Sequence, residues 1–143
     1  MATVFFGRYE HSLDTKGRLI LPAKFRAHFD RGGYLGKHHE RCLALWPEDE
    51  FARQIQQMRE TQEQGRDERN LTRVWAQGLT EVEVTASGRM AIPAYLRDYA
   101  QLEGDVLVNG ALDRIELWNP TLFAERVEPT EQQLTNEMAG QQD

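Results

Sequence analysis

The sequence has one cysteine and no long apolar segment, and each of these absences excludes a class of protein. Cys42 is the single cysteine among 143 residues, which excludes an internal disulfide and cysteine-rich zinc sites and is typical of a reducing cytoplasm. No segment approaches the ~18 continuous apolar residues of a membrane-spanning helix. The N-terminus also has no signal-peptide pattern. We therefore expect a cytoplasmic protein without a membrane segment.

Recognisable catalytic motifs are also absent. The sequence contains no G-x-S-x-G nucleophile elbow, no P-loop and no dinucleotide-binding fingerprint. His38, His39 and Glu40 could ligate a metal, but adjacent residues of a strand point to opposite faces, so a solvated loop is favoured. Cys42 could act as a nucleophile with a histidine, but within "RCLALW" it is better explained as a packed residue. We expect no enzymatic activity, no cofactor, no metal and no small-molecule substrate.

What the sequence does contain is an internal repeat. Residues 14–22 read "DTKGRLILP" and residues 85–93 read "TASGRMAIP". The two segments are 71 residues apart, and identical pairs at this offset include Gly17/Gly88, Arg18/Arg89, Pro22/Pro93, Ala23/Ala94 and Arg26/Arg97. At an offset of 72 residues, identical pairs include Leu45/Leu117, Trp46/Trp118, Phe51/Phe123 and Ala52/Ala124. Two copies are too few for a solenoid, so we expect a pseudo-two-fold pair that shares one core, anchored by the two tryptophans.

The pattern of each copy predicts a strand, a turn, a strand, a helix, a loop, a strand and a helix. In the first copy, β-branched and aromatic residues over 3–13 predict a strand, and the glycine-rich residues 30–40 predict a loop. The proline of each repeat suits the first position of the helix that follows it. Residues 54–78 predict helices that connect the copies, and the polar segment from Glu128 onward predicts a frayed tail.

The first copy begins with a turn in which Asp14 and Gly17 have defined structural roles. The carboxylate of Asp14 can accept hydrogen bonds from the backbone amides of Lys16 and Gly17, and Gly17 can adopt the left-handed conformation that ends the turn. The side chains of Lys16 and Arg18 then point outward from a tightly bent tip. Asp14 is also close enough in sequence to orient the guanidinium of Arg18.

The second copy keeps the turn but lacks the acid. Thr85 can make a weaker hydroxyl version of the same hydrogen bond, Gly88 can end the turn, and Arg89 takes the place of the first arginine. Two outward arginines related by a pseudo-two-fold axis suit a regularly spaced anionic partner, because guanidinium groups bind phosphate and guanine edges through paired hydrogen bonds. For either turn alone, a plain hairpin with a solvated cation explains the residues as well as an anion-binding site does. Because the duplication retains the arginine, it favours the anion-binding site.

Charge supports a cationic surface only locally. The chain has a net charge of −6, which argues against indiscriminate binding to nucleic acid. Between Arg8 and Arg26, however, five basic residues stand against two acidic ones. Because charges are screened beyond ~10 Å at ordinary salt, a cationic tip can contact phosphates even on an acidic protein. One chain would still bind weakly, so we expect an oligomer to multiply the contacts.

The stretches "DTKGRLILPAKFR" and "TASGRMAIPAYLRDYAQLEGDVLVNGALDRIELWNP" resemble the MraZ family of bacterial transcriptional regulators, and the resemblance covers about Phe5 to Val127. It implies a mainly β fold with short helices, of the α+β class. Two AbrB-like (SpoVT-like) swapped-hairpin units would interleave their strands into one pseudo-two-fold, β-barrel-like unit. The expected divisions are repeat 1 over 7–52, a helical connector over 53–79, repeat 2 over 80–127 and a flexible tail over 128–143.

The resemblance also implies a function. Members of the family bind double-stranded DNA repeats in the promoter of the division and cell-wall gene cluster, mostly as repressors, and assemble into rings. On that basis we expect a nucleoid-associated homo-oligomer that regulates its own promoter. The expected DNA contacts are Lys16, Arg18, Arg89 and Arg8. The expected turn-forming and orienting residues are Asp14, Gly17, Thr85 and Gly88.

Two alternative functions are open on the sequence alone. AbrB-like units also serve as antitoxins, whose toxin-binding part is typically a disordered tail, and residues 128–143 could be such a tail. That segment is short and nearly devoid of apolar anchors, so we favour a DNA-binding regulator. A ring scaffold without DNA contacts is the other alternative, and it predicts no salt-dependent binding to DNA.

Overall fold

The computed structural model describes residues 4–141, and within that range it has the predicted α+β fold. The strands are β1 (Arg8–Ser12), β2 (Arg18–Ile20), β3 (Gly33–Lys37), β4 (Leu43–Pro47), β5 (Thr80–Val82), β6 (Arg89–Ala91), β7 (Asp105–Gly110) and β8 (Ile115–Trp118). The α-helices are α1 (Ala23–Arg26), α2 (Glu48–Thr61), α3 (Arg66–Gly78), α4 (Ala94–Ala100), α5 (Pro120–Arg126) and α6 (Glu128–Gln141). Short 3₁₀ turns cover Ala27–Phe29, His39–Arg41 and Gln62–Gln64.

The two halves of the chain exchange strands, as the swapped-hairpin expectation requires. A six-stranded antiparallel sheet has the order β1-β7-β8-β4-β3-β5, and a separate antiparallel ribbon pairs β2 with β6. Strand β1 of the first half therefore lies beside β7 of the second, and β5 of the second half lies beside β3 of the first. Within residues 4–141 the larger sheet has free edges at β1 and β5, so it is an open sheet and not a closed barrel.

The registers of two strand pairs show the pseudo-two-fold symmetry directly. In the ribbon, Leu19 lies opposite Met90, which are equivalent positions of the two repeats. In the larger sheet, β4 pairs with β8 so that Leu43 faces Leu117 and Leu45 faces Ile115. Exchanging the halves leaves both registers unchanged. The axis that relates the repeats therefore passes through the centre of both pairs.

One hydrophobic core joins the two halves. Leu19 and Met90 from the ribbon pack in the same cluster as Leu45 and Ile115 from the larger sheet, and all four are fully buried. Trp46 and Trp118 are buried as expected, but both lie outside this cluster. Trp118 packs in a smaller cluster with Leu107 and Leu122, and Trp46 packs against the ring of Phe51. Because both copies contribute to one core, neither half can bury its apolar residues alone.

The connector between the repeats is anchored by aromatic rings. Helix α2 begins directly after β4 with three acidic residues in its first turn, where negative charge is favourable. The ring of Phe51 on this helix stacks on that of Tyr34 in β3, with centroids 3.9 Å apart. Trp75 of α3 lies 5.9 Å from Phe51 and 6.2 Å from Trp46. The helical pair therefore packs against the outside of the first repeat.

Two segments differ from the sequence-based expectation. Residues 30–40, predicted as a loop, contain β3, because Gly33 and Gly36 let neighbouring side chains approach the strand closely. A Cβ on Gly36 would lie only 2.7 Å from a methyl carbon of Leu79. The described part of the tail forms helix α6 rather than an irregular segment, in keeping with the Glu, Gln, Leu and Met residues that favour helix there.

Candidate nucleic-acid interface

The first of the two predicted turns, which we call the first tip, covers residues 14–18 between β1 and β2. The amide of Gly17 donates to the carbonyl of Asp14 at 3.1 Å, and the amide of Asp14 donates to the carbonyl of Arg18 at 2.9 Å. Gly17 has a φ of +75°, a conformation that side-chain-bearing residues rarely adopt. Asp and Gly therefore stand where a tight turn of this type requires them.

The carboxylate of Asp14 organises the first tip. Its Oδ1 accepts hydrogen bonds from the amides of Lys16 and Arg18, both at 2.9 Å, and its Oδ2 accepts from Nε of Arg18 at 2.8 Å. The sequence predicts the amides of Lys16 and Gly17 as donors, but the Gly17 amide bonds to the main chain instead. Hydrogen bonds from the Arg18 backbone first, and then from its side chain, lower the pKa of the Asp14 carboxyl. Arg18 is thus held in one direction by an ionised partner.

The second tip, residues 85–89 between β5 and β6, repeats the backbone with different side chains. Gly88 donates to the carbonyl of Thr85 at 2.8 Å and has a φ of +86°. The amide of Arg89 donates to Oγ1 of Thr85 at 3.0 Å, and that hydroxyl also lies 3.1 Å from Oγ of Ser87. Within residues 4–141 the guanidinium of Arg89 makes no hydrogen bond or ion pair. The two tips therefore share the turn, but only the first fixes the orientation of its arginine.

The ribbon of β2 and β6 brings the two tips together on one face. Arg18 lies opposite Ala91, and Ile20 lies opposite Arg89. Because residues two apart on a strand share a face, both arginines project outward while Leu19 and its partner Met90 point into the core. Strand geometry places the two arginine Cα atoms about 8 Å apart.

The ends of the ribbon are tied to the opposite tips by the main chain. The amide of Leu21 donates to the carbonyl of Gly88 at 2.8 Å, and the amide of Ile92 donates to the carbonyl of Gly17 at 3.1 Å. The hydrogen bonding between the two strands therefore extends beyond the ribbon to the glycine of each turn. The two tips form a single, pseudo-symmetric surface rather than two separate hairpins.

Acidic residues make the second tip less cationic than the first. A shallow depression next to the ribbon is lined by Arg18 and Arg89 together with Glu81, Glu83 and Thr85. Both glutamates are exposed and belong to the strand and loop that lead into the second tip. The first tip therefore has the larger excess of basic side chains, since the exposed Lys16 adds a cation that makes no ion pair within residues 4–141.

Arg8, which the family resemblance implies as a DNA contact, lies away from the tips. It occupies the start of β1, about 13 Å along the strand from the residues that enter the first tip. Its guanidinium lies 3.5 Å from a carboxylate oxygen of Glu128, 3.8 Å from one of Glu10, and over the ring of Phe123 at 5.3 Å. The guanidinium of Arg8 is therefore paired with carboxylates of the protein itself.

Two arginines that the sequence did not single out lie next to the tips. Arg26 packs against Gly88 of the second tip, and Arg97 packs against Gly17 of the first. The only signal for them in the sequence is that they are identical residues at the repeat offset. Their contacts cross from one half to the other, which a local pattern cannot show.

The other candidate residues have structural explanations. Cys42 is buried with Trp118 and Leu122, and burial raises the pKa of its thiol far above the usual value. Burial also lowers the pKa of His38 to about 4, with the nearby Arg114 as a further cause. Among the described residues, no group of three or more His, Cys, Asp or Glu side chains could hold a metal ion. In the same range, no helix combines the length and apolar character needed to cross a bilayer.

Comparison with known proteins supports two copies of one unit. A family model described as "MraZ protein, putative antitoxin-like" matches the chain twice, over residues 4–74 and 76–142. The boundary between the two matches falls within the last turn of α3, so the second match begins a few residues before β5.

Relatives similar over most of the chain carry one name, Transcriptional regulator MraZ. The protein of Kocuria rhizophila is 40% identical over 128 residues, which is 90% of either chain. That of Micrococcus luteus is 41% identical over 116 residues, 81% of either chain, and that of Caldanaerobacter subterraneus is 34% identical over 128 residues, 90% of either chain. These relatives are named as regulators of transcription and not as enzymes. The chain belongs to the MraZ family.

Proposed function

We propose that this chain is a transcriptional regulator that binds double-stranded DNA sequence-specifically through its two tips. The observation that carries the proposal is the outer face of the ribbon, where Arg18 and Arg89 project side by side from turns of the same backbone geometry. Two guanidinium groups at symmetric positions suit the regularly spaced phosphates and base edges of a duplex. The names of the relatives, all regulators of transcription, support the same function.

The tips have different roles in this proposal. Arg18 is fixed by Asp14, so its planar donor pair can meet a guanine edge without a further loss of conformational entropy. Lys16 beside it is a flexible point charge suited to phosphate. Arg89 has no bracing partner within residues 4–141, so it contributes mainly a salt-dependent phosphate contact. The first tip is therefore the main source of base selectivity.

The regulated genes are proposed from the family resemblance. We infer that the chain binds repeated sites in the promoter of the division and cell-wall gene cluster, including its own promoter, and acts there as a repressor. A protein that occupies several adjacent promoter sites would exclude RNA polymerase from them. Such a protein would be associated with the nucleoid.

Binding of repeated sites also requires several copies of the chain, and we propose a ring-like homo-oligomer. Leu71 and Val74 on α3 are about half exposed, at 49% and 51%, so the connector offers apolar surface to a neighbouring copy. A head-to-tail contact whose rotation closes produces a ring. Each added copy presents two more tips to the same DNA, which raises the effective concentration of contacts. Light scattering coupled to size-exclusion chromatography should give a mass of several chains.

The direct test of DNA binding is a fluorescence anisotropy titration of the full chain at several salt concentrations. The probes are a labelled duplex from upstream of the protein's own gene and a shuffled duplex of equal composition. We expect selective binding to the first probe and an affinity that falls steeply with salt. The double variant R18A/R89A should lose this selectivity.

The control for this experiment is the double variant R59A/R69A, which removes the same charge from exposed positions on α2 and α3. It should bind as the wild type does. Equal affinity of the wild type for both duplexes would contradict the proposal. So would a control variant whose binding falls as much as that of the tip variant.

A second candidate function, a toxin-binding antitoxin, is favoured by one observation besides the family description. Leu134 and Met138 lie one helical turn apart on α6, and both are 56% exposed. A partner protein could pack on this pair. Removal of residues 128–143 should abolish co-purification of a small partner protein if this function holds, and should leave DNA binding intact if the first proposal holds.

A further inference from the structure

Arg26 and Arg97 make the same contact in opposite directions across the pseudo-two-fold axis. A Cβ built on Gly17 would lie 2.8 Å from Cζ and 2.9 Å from Nε of Arg97. A Cβ on Gly88 would lie 2.7 Å from Cζ of Arg26 and closer still to its Nε. Each guanidinium therefore fills the space where a side chain on the glycine of the other half would stand.

A chain of hydrogen bonds joins each arginine to the same glycine. Nε of Arg97 donates to the carbonyl of Ile92 at 3.0 Å, and the amide of Ile92 donates to the carbonyl of Gly17 at 3.1 Å. The first-half arginine repeats this arrangement, with its Nε on the Leu21 carbonyl at 3.0 Å and the Leu21 amide on the Gly88 carbonyl at 2.8 Å. Packing and hydrogen bonding thus link each arginine to the tip that the other repeat supplies.

We propose that Arg97 is a positioning residue for the first tip and Arg26 a positioning residue for the second. Each guanidinium, half-buried beside a glycine of positive φ, limits the movement of that turn and hence of the arginine that follows the glycine. The two repeats therefore hold each other's DNA-contacting turns, so that a change in one half alters recognition by the other. This inference rests on the proposed function for its effect on DNA, but not for its effect on the turns.

The first test needs no DNA. Amide hydrogen exchange and ¹H–¹⁵N spectra would be compared for the wild type, R97M and R26M, since methionine keeps an unbranched stem and removes the guanidinium. R97M should accelerate exchange at Gly17 and shift the amides of Gly17 and Arg18, with little change at the second tip. R26M should do the reverse. Larger changes at the tip of the same half, or equal changes at both tips, would overturn the proposal.

Two further variants keep this test decisive. R59M makes the same replacement at an exposed position of α2 and should leave both tips unchanged. If R97M does not fold, R97K retains the stem and the charge but lacks the planar guanidinium, and it should perturb Gly17 in the same direction by a smaller amount. An R97K spectrum identical to that of the wild type would contradict positioning by the guanidinium.

The second test is a double-mutant cycle on DNA with the full chain and the promoter and shuffled duplexes. R97M alone should lower the ratio of specific to non-specific affinity about threefold to tenfold. In an R18A background, R97M should lower this ratio less than about twofold. In an R89A background, R97M should lower the ratio as much as it does in the wild type. R26M should show the opposite pairing. A same-half pairing would overturn the proposal.

Salt dependence separates positioning from direct binding of phosphate. If Arg97 itself bound a phosphate, R97M would reduce the slope of log affinity against log salt by about 0.9 for each phosphate that is no longer neutralised. A positioning residue leaves the slope unchanged. If the wild type shows no selective binding at all, the proposed function fails, whereas the amide measurements still decide whether the halves position each other's turns.

Discussion

The two tips have nearly the same backbone and differ in how the arginine is held. In both tips a glycine of positive φ closes a four-residue turn, and the side chain of its first residue accepts the amide of the arginine. At the first tip the carboxylate of Asp14 also accepts Nε of Arg18. At the second, the hydroxyl of Thr85 bonds Ser87 and leaves the Arg89 guanidinium without a partner in the described range.

This comparison separates the requirement for a turn from the requirement for a fixed side chain. A hydroxyl is sufficient to close the turn, because the backbone needs only an acceptor. A carboxylate is needed to direct a guanidinium, because it offers a second, charged acceptor with the right geometry. The repeat therefore provides one rigid and one adaptable arginine on the same face, which suits a surface that must both select a sequence and tolerate variation around it.

The largest expected effect is the difference between the single variants R18A and R89A. Removing a well-placed base contact costs about 1–3 kcal/mol, so R18A should weaken binding to the promoter duplex about tenfold to hundredfold for each tip engaged. R89A should weaken it only a few-fold, since Arg89 binds phosphate alone. Anisotropy titrations at one salt concentration measure both. Equal reductions in affinity would contradict the division of roles.

The glycines should differ in stability cost because their neighbours differ. In G104A, G17A and G88A, alanine must adopt a positive φ, which costs roughly 1–2 kcal/mol. Gly104 has no heavy atom within 4 Å of a built Cβ, so G104A isolates this cost. G17A and G88A must also displace an arginine, and G88A should be the least stable because its contact is closer. Urea unfolding measures the free energy of unfolding of each variant. If G104A were the least stable of the three, this account would be contradicted.

The bracing carboxylate is tested by D14N, which keeps the Oδ1 acceptor of the turn but removes the charge. We expect the variant to fold with a small loss of stability, and the selectivity between promoter and shuffled duplexes to fall about threefold to tenfold, because Arg18 becomes as free as Arg89. The matched control T85V removes the acceptor of the second tip and should change selectivity little. A selectivity of D14N equal to that of the wild type would show that the charge does not direct Arg18.

The tips should also differ in their response to pH. The pKa of Asp14 is lowered by hydrogen bonds from Arg18, so the carboxylate is held ionised below the ordinary value of 3.8. A lowered pKa in the folded state means that its contribution to stability is present above the pKa of the unfolded chain and is lost as pH falls through the folded value. The Nε–H signal of Arg18 should thus stay constant from pH 7 to pH 5 and move only in acid. The Arg89 signal should not follow it, and a change of the Arg18 signal above pH 5 would contradict the bracing.

The smallest expected effect is a gain. T85D places a carboxylate where the second tip has a hydroxyl, and the shared backbone predicts that it will accept Nε of Arg89 as Asp14 accepts Nε of Arg18. We expect selectivity to rise about twofold, because Glu81 and Glu83 nearby partly oppose the benefit. The same titrations measure the change. A fall in selectivity larger than that of T85V would show that the second tip cannot be braced in this way.

The sequence was sufficient to predict the turns and, through the family resemblance, the exchange of strands, but insufficient for contacts between the halves. Asp14 and Gly17 act locally, so their spacing alone predicts the first tip. Strand β3 was missed because its glycines weigh against a strand, although at the repeat offset it aligns with the apolar β7. The crossed contacts of Arg26 and Arg97 depend on how the repeats pair, and the ion pair of Arg8 with Glu128 depends on where the tail helix begins. Neither arrangement has a local signature.

The most direct test of the central claim is a specificity profile rather than a single affinity. Each base pair of the promoter site would be substituted in turn, and the wild type, R18A and R89A would be titrated against the whole set. The account predicts that R18A flattens the profile at the positions read by the first tip, and that R89A lowers all affinities together while preserving the profile. A profile that stays intact in R18A, or that R89A flattens instead, would contradict the claim that the braced arginine is the reader of sequence.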